Sequence, residues 1–432
     1  MRTRALLAVA GELAARGPRK TYWAASALWS ELLHARKHGS EPFRRHVYND
    51  FIAFAGSSVR PIKNETAQRA RAAADWLIRA QAAAGDGGVS YGYFPGIGPP
   101  WGWKRSYPET TGYIMTSLLA FARRFPDPSI RAAVLRMARW EAEIQMASGA
   151  VQGGPVCPPE QQTAAAFNTG MVLDGWCSVL EQMPEKDLLE PARRAADWLA
   201  GDVNERGYFR TNGAFVSSDA VKTYTCLCAW ALYRFGNLAN NSHHRDTALR
   251  VIEAALAKQR TNGWFADNCL TNPKAPLTHT IGYTLQGVLE VGVLSGRGDF
   301  VAAVRRSVDA LQTLPTRHGY LAGRLDEQWR PGTLSSCLTG SAQIAIVAYR
   351  LHQLLGEDAY RRFGDRLLNY IKPLQILQNE DPGIVGALPG SFPIFGSYMR
   401  GGYPNWATKY LLDALLLQLD SLPAGGSPAA RV

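Results

Sequence analysis

The chain has 432 residues, 46% hydrophobic and 19% charged, enough apolar side chains for a large buried core, which excludes a disordered or fibrous polymer. Its longest uncharged apolar runs, such as 342–349, fall far short of the roughly 20 residues that a membrane-spanning helix needs. The net charge is +11, and the excess is concentrated at one end: residues 1–63 hold eleven Lys/Arg against four Asp/Glu. Such a basic segment suits an anionic surface or polymer, and equally a plain solvated helical face.

The N-terminus offers only Ala5–Ala10 as an apolar stretch before Glu12 and Arg16 interrupt it. A secretory signal needs about 7–15 apolar residues and a cleavage site. The segment therefore reads as an ordinary helix, and a cytoplasmic location is expected. Residues 1–16, 19–38 and 43–56 form three short predicted helices, broken by Gly17-Pro18 and Gly39-Ser40. They have no copy later in the chain and read as a basic cap or docking arm covering 1–63.

From residue 64 a regular alternation begins. One set of predicted helices shows apolar residues at i, i+3 and i+4 with a polar stripe, as in Ala72–Ile78, whose near-copy is Ala195–Ala200. Others run over 129–145, 244–258, 298–313 and 358–372. The second set is apolar nearly all round: Tyr113–Phe121, Met171–Leu180, Ala229–Phe235, Tyr283–Leu294, Ala342–Leu355 and Tyr410–Leu419. A helix without a polar face must be buried on most sides.

Each apolar helix is preceded by a recognisable copy of one short motif. The fullest is Tyr107-Pro108-Glu109-Thr110-Thr111-Gly112-Tyr113, followed by Phe167–Gly170, Thr223–Cys226, His279–Gly282, Cys337–Gly340 and Pro404–Ala407. The small residues closing the copies stand at 112, 170, 226, 282, 340 and 407, separated by 58, 56, 56, 58 and 67 residues. A period this regular indicates a repeat architecture. Six pairs, outer helix then inner helix, predict an all-α (α/α)6 toroid over 64–420 with a disordered tail at 421–432. Links after the inner helices are short, and links before them are long. Long loops carry sites, so the pocket is expected at the N-terminal ends of the inner helices.

Most long loops open with a Gly a few residues after a Gln: Gln81 with Gly87, Gln145 with Gly149, Gln259 with Gly263, Gln312 with Gly319 and Gln378 with Gly383. Gln is expected to tie the helix end to the loop while Gly takes a positive φ. Six cysteines in a chain of this length do not make a disulfide framework. The Cys226-Leu227-Cys228 pair lacks a second ligand pair, so neither a metal nor another cofactor is expected.

The Gln–Gly–aromatic pattern before an apolar inner helix is similar to the six-hairpin toroids, which comprise carbohydrate-active enzymes and terpenoid cyclases or prenyltransferases. Asp-rich cyclase motifs are missing; the nearest acidic cluster, Asn379-Glu380-Asp381, has the wrong spacing. Within the carbohydrate-active class, Gly87–Tyr93, Tyr107–Tyr113, Cys337–Gln343 and Tyr403–Tyr410 resemble the VpsJ-like proteins of bacterial exopolysaccharide gene clusters. The resemblance covers about residues 65–420 and implies a role in making or trimming a secreted polysaccharide. It implies a polysaccharide or oligosaccharide substrate, and a membrane surface or the exopolysaccharide machinery as a partner for residues 1–63. No nucleic-acid partner is expected.

Glycoside hydrolysis needs two carboxylates, for which Glu109 with Asp219 or Asp326 is available. Elimination or epimerisation of a uronic acid needs a Tyr or His base and a group that neutralises the carboxylate. His279, Tyr224, Asn168 and Arg324 suit those roles. Trp101, Trp103, Tyr107, Tyr113, Tyr283 and Trp329 supply aromatic faces of the kind a sugar site requires, and Lys222, Asn405 and Lys409 supply polar contacts. Each also has a bland reading. Glu109 suits a helix cap, His279 a cap-region residue, Arg324 and Asp326 a mutual pair, and Asn405 an N-cap. A glycan-binding scaffold without catalysis is the alternative to an enzyme.

Overall fold

A computed structural model describes residues 40–56, 58–96, 101–183, 185–213, 220–316 and 318–421. The helices expected over 1–16 and 19–38, the tail beyond 421, and Asp219 lie outside the described residues. The third N-terminal helix is present as α1 (Glu41–Ala55), capped by the Ser40 hydroxyl, which accepts from the Phe43 amide at 3.4 Å.

Among the described residues twelve further α-helices follow as alternating outer and inner members. The outer ones are α2 (Thr66–Ala84), α4 (Pro128–Ile144), α6 (Leu189–Asp202), α8 (Ser242–Leu256), α10 (Gly298–Leu311) and α12 (Asp358–Ile371). The inner ones are α3 (Pro108–Arg124), α5 (Ala166–Gln182), α7 (Cys226–Leu238), α9 (Thr278–Ser295), α11 (Leu338–Leu355) and α13 (Asn405–Asp420). Each inner helix packs on the next, and α13 returns to α2 and α3, so the ring closes as an (α/α)6 toroid. Among the described residues no helix is long and apolar enough to cross a membrane.

Composition explains which helices go inside. Every residue of α9 from Thr278 to Gly292 is buried, whereas the outer α10 buries only one stripe, including Phe300, Val304, Val308 and Leu311. The small residues of the repeated motif are where inner backbones meet. A Cβ on Gly112 would stand 2.5 Å from the Met171 carbonyl oxygen, and one on Gly170 would lie 2.7 Å from the Cβ of Cys228. A Cβ on Gly340 would lie 2.6 Å from the His279 amide nitrogen. No side chain fits at these crossings.

Between outer helices a second contact recurs. The Gln81 amide nitrogen donates to Gly87 O at 2.9 Å and to Ala133 O of the next outer helix at 3.1 Å. Gln145 does the same to Gly149 and Pro191, and Gln259 to Gly263 and Ala303. In the last unit the residue is Gln375 rather than the expected Gln378. It bonds Gly386 O and Arg69 O, both at 3.0 Å, and so ties α12 to α2. The reason is distance along the chain: Gln375 ends the helical turn and faces Arg69, whereas Gly383 packs under the Tyr93 ring and receives the Trp76 indole on its carbonyl.

Among the described residues the long loops carry five short strands: β1 (Gly92–Phe94), β2 (Gly102–Trp103), β3 (Ser336–Cys337), β4 (Ser391–Phe392) and β5 (Tyr403–Pro404). β1 is flanked by antiparallel β2 and β5, with Tyr93 opposite both Trp103 and Tyr403. β3 pairs antiparallel with β4, Ser336 opposite Phe392. These ribbons bind loops that are distant in sequence into one lid over the inner-helix starts.

Gly263 sits at φ +83, and a Cβ there would meet Arg306 O at 2.8 Å and Ser307 Cα at 2.9 Å. Gly263→Ala is expected to lower stability by about 1–3 kcal/mol in urea denaturation followed by circular dichroism. Gly85→Ala, at φ +77 but with nothing within 4 Å, is the control and should cost less.

Candidate active site

The inner-helix starts surround a cavity of about 270 Å³, near the lower end of the range that ligand pockets occupy. Four of them contribute directly. α3 supplies Glu109, α5 supplies Phe167 and Asn168, α9 supplies His279, Thr280 and Tyr283, and α13 supplies Trp406. Tyr107 and Tyr224 come from the residues just before α3 and α7, and the lid loop adds Tyr398 and Met399. The walls are therefore mostly aromatic, with few polar groups.

Glu109 is the carboxyl group among the described lining residues. Its position as the second residue of α3 suits a dipole-compensating carboxylate, yet α3 has no side-chain cap. The side chain instead accepts from the Tyr107 hydroxyl at 2.8 Å. Enclosure by the aromatic walls pushes its pKa up to about 7, against the opposing pull of the Tyr107 hydrogen bond. Glu109 thus carries a proton under mildly acid conditions and sheds it near neutrality.

His279 lies in the opposite regime. Its Nδ1 donates to Gln343 Oε1 of α11 at 2.7 Å, the tautomer that leaves the lone pair on Nε2. Burial pulls its pKa down to about 4; the Gln343 bond resists this and the positive charge of Lys409 adds to it. The sequence offered His279 as a base or a cap-region residue, and enclosure makes it a neutral imidazole across the physiological range. The ring is packed against Tyr283, with centroids 4.4 Å apart, and against Tyr398 at 5.4 Å.

Beneath the cavity floor, Tyr113 and Tyr410 pack 5.7 Å apart. Lys409 sits over the Tyr410 ring at 3.9 Å and pairs with Asp413 at 2.8 Å. Asn168 donates to Gln152 O at 2.9 Å, which fixes its amide at the wall. Tyr398 accepts the Trp406 indole N–H at 2.8 Å, linking the lid loop to α13.

The structure thus gathers Glu109, Tyr107, Asn168, Tyr224, His279 and Tyr283 at one cavity. Other candidates stand outside its lining. Trp101 is 48% exposed on the surface, and Trp103 packs on Trp76 and Tyr93. Arg324 donates to Ala275 O at 2.8 Å, so it is not paired with Asp326; Asp326 instead binds Arg330. Trp329 packs edge-on against Trp264, its indole N–H held by Asn262 O. Lys222 donates to Leu270 O. Asn405 does not cap its helix: its amide nitrogen donates to Ser90 O and Thr110 Oγ1, tying the lid to α3. Tyr113 and Lys409 form the layer under the floor.

Sequence reasoning missed Phe167, Asn212, Leu270, Leu277, Thr280, Tyr398, Met399 and Trp406 as lining residues. A signal for one of them existed. Glu109, Phe167 and His279 all stand three residues before the small residue that closes their copies of the motif. That register places each one at the first turn of an inner helix, facing the mouth. Tyr398 and Met399 sit in a loop without a repeat counterpart, so nothing in the period points to them.

No protein-family model and no curated protein matches the sequence. Solved structures do match in fold. A heparin-specific unsaturated glucuronyl hydrolase superposes with a TM-score of 0.65 at 14% identity, over 82% of this chain and 97% of that one. The unsaturated glucuronyl hydrolase of Streptococcus agalactiae gives 0.62 at 12% identity, over 84% and 94%. Cellobiose 2-epimerase of Bacillus thermoamylovorans gives 0.61 at 9% identity, over 81% and 98%. The shared feature is the (α/α)6 toroid.

Because the Glu109 pKa is raised on folding, between about pH 4.5 and 7 the folded protein holds a proton that the unfolded chain releases. Its contribution to stability is complete below that window and is lost as pH rises through it. Glu109→Gln should therefore gain stability relative to wild type across this window, measured by urea denaturation at stepped pH.

Proposed function

We propose that the protein is a carbohydrate-active enzyme of glycoside-hydrolase type that works on the end of a polysaccharide or oligosaccharide held in this cavity. The observation that carries the reading is the pairing, on one aromatic-walled cavity, of a carboxyl held near pH 7 with a neutral imidazole. Aromatic faces suit the apolar faces of a sugar ring, and a cavity of only about 270 Å³ suits a chain end rather than a mid-chain segment.

Glu109 then acts as general acid, giving its proton to the glycosidic oxygen as the bond to the anomeric carbon breaks. Water attacks that carbon and passes a proton to His279 Nε2. Tyr107 orients the Glu109 carboxyl, and Tyr283, Tyr398 and Trp406 hold the ring. His279 stands in for the second carboxylate of the usual pair. Glucuronyl hydrolases and a cellobiose epimerase of the same fold support a sugar substrate. The exopolysaccharide context rests on the sequence resemblance, as does a membrane-facing role for the basic residues 1–63.

The test is incubation with a panel of neutral and acidic oligosaccharides, following reducing ends alongside ultraviolet absorbance from unsaturated uronates. Reducing ends without absorbance are expected; absorbance would mean elimination, and silence in both would remove the reading. Glu109→Gln should lower kcat by roughly 10²–10⁴-fold while oligosaccharide binding, measured by calorimetry, persists. The activity should fall as pH rises above about 7, where Glu109 loses its proton, and fall again below about 4, where His279 gains one.

A further inference from the structure

The N-terminal helix α1 lies outside the toroid repeat, yet its buried face is aimed at the lid. Phe43, Val47, Asp50 and Phe51 are all buried at helical spacing, although α1 belongs to no hairpin. The Phe43 ring lies 6.4 Å from Phe395, and Phe54 meets Phe392 edge-on at 5.5 Å. His46 stands 6.1 Å from Tyr403 of β5. Between these contacts, the Asp50 carboxylate accepts the Ile394 amide N–H at 2.6 Å, across 344 residues of sequence.

What α1 grips is the segment from β4 to β5, which brings Tyr398 and Met399 to the cavity. That segment is built as a compact loop. The Ile394 carbonyl accepts from Gly401 N at 2.9 Å, so one residue is held by Asp50 on its amide side and closes the loop on its carbonyl side. The Ser391 hydroxyl accepts from Tyr398 N at 3.0 Å, and Ser397 N donates to Ser335 Oγ at 3.0 Å. Tyr398 then reaches His279 and Trp406. A continuous path of contacts therefore runs from Asp50 through Ile394 to the wall that faces the imidazole.

We propose that α1 is a strap that positions the Tyr398–Met399 wall of the cavity, and that Asp50 is the positioning residue, anchoring the 391–402 loop through the Ile394 amide. Burial supports a role beyond packing, since it raises the Asp50 pKa to about 7 and only the Ile394 hydrogen bond opposes it. A carboxyl kept in such surroundings costs stability unless it holds something in place. The Tyr370 and Tyr403 phenols feel its charge from α12 and β5, and His46 stands one turn earlier on its own helix. The inference is independent of which sugar reaction the cavity performs.

The test is hydrogen exchange of the full chain by mass spectrometry, comparing wild type with Asp50→Ala and Asp50→Asn. Asp50→Ala leaves the Ile394 amide buried without an acceptor and should speed exchange in the 391–402 peptide by about ten-fold, with α9 unchanged. Asp50→Asn keeps an oxygen acceptor and should stay within about three-fold of wild type. Should Asp50→Ala yield no folded protein, Phe54→Ala should produce a smaller acceleration confined to the same peptide. The proposal is overturned if the loop exchanges at the wild-type rate in Asp50→Ala and in Phe54→Ala, if α9 speeds up equally, or if Asp50→Asn is as fast as Asp50→Ala. Because exchange needs no substrate, these outcomes stand whether or not a saccharide is turned over.

Discussion

The toroid depends on one repeated junction between neighbouring outer helices. An outer helix ends in a turn whose Gly, at positive φ, lies against the carbonyl backbone of the next outer helix. Gly149 meets Arg194, Gly207 meets Arg250, Gly263 meets Arg306, Gly319 meets Arg366 and Gly386 meets Ala72. In four of the six units a Gln amide spans the same junction. The last contact returns to the first outer helix, so the junction that builds each unit also closes the ring. Only a residue without Cβ fits there, and only a long amide reaches two carbonyls at once.

Closing the ring fixes where the cavity forms. With outer helices clamped at that spacing, the inner helices must meet at their small residues, and their first turns converge at one end. Side chains one turn ahead of those small residues then point at a common space. Glu109 and His279 are brought together in this way although 170 residues separate them. The aromatic enclosure that results moves their pKa values in opposite directions, because removing water disfavours the charged form of each. Packing therefore sets the protonation of both groups at this cavity.

The lid completes the site through elements that carry no repeat signal. β1, β2 and β5 join the first long loop to the last, and the β3–β4 pair joins the fifth to the sixth. The buried Asn405 amide, which bonds Ser90 and Thr110, stitches this lid to α3. α1 sits on the far side of the same loops. The segment that the repeat leaves unexplained thus packs on the loop that carries Tyr398 and Met399.

Much of this architecture was legible in the sequence. The near-constant spacing of small residues, the alternation of striped and wholly apolar helices, and the asymmetry of loop lengths together specified the toroid and the end that carries the cavity. They did so because period and polarity are local properties of the chain. Glu109 and His279 were legible for the same reason, since each stands in the first turn of an inner helix, and Tyr283 follows one turn later. Which side chains face one another was not, because that depends on rotation about helix axes and on loop paths. Arg324 and Trp329 sit in a long loop like the true lining residues, yet their hydrogen bonds turn them to Ala275 and Asn262. Tyr398 reaches the cavity from a loop that pairs with β3 and contacts α1, elements far from it in sequence. The displaced pKa values of Glu109 and His279 likewise belong to the tertiary structure, because only the assembled walls exclude water from both groups.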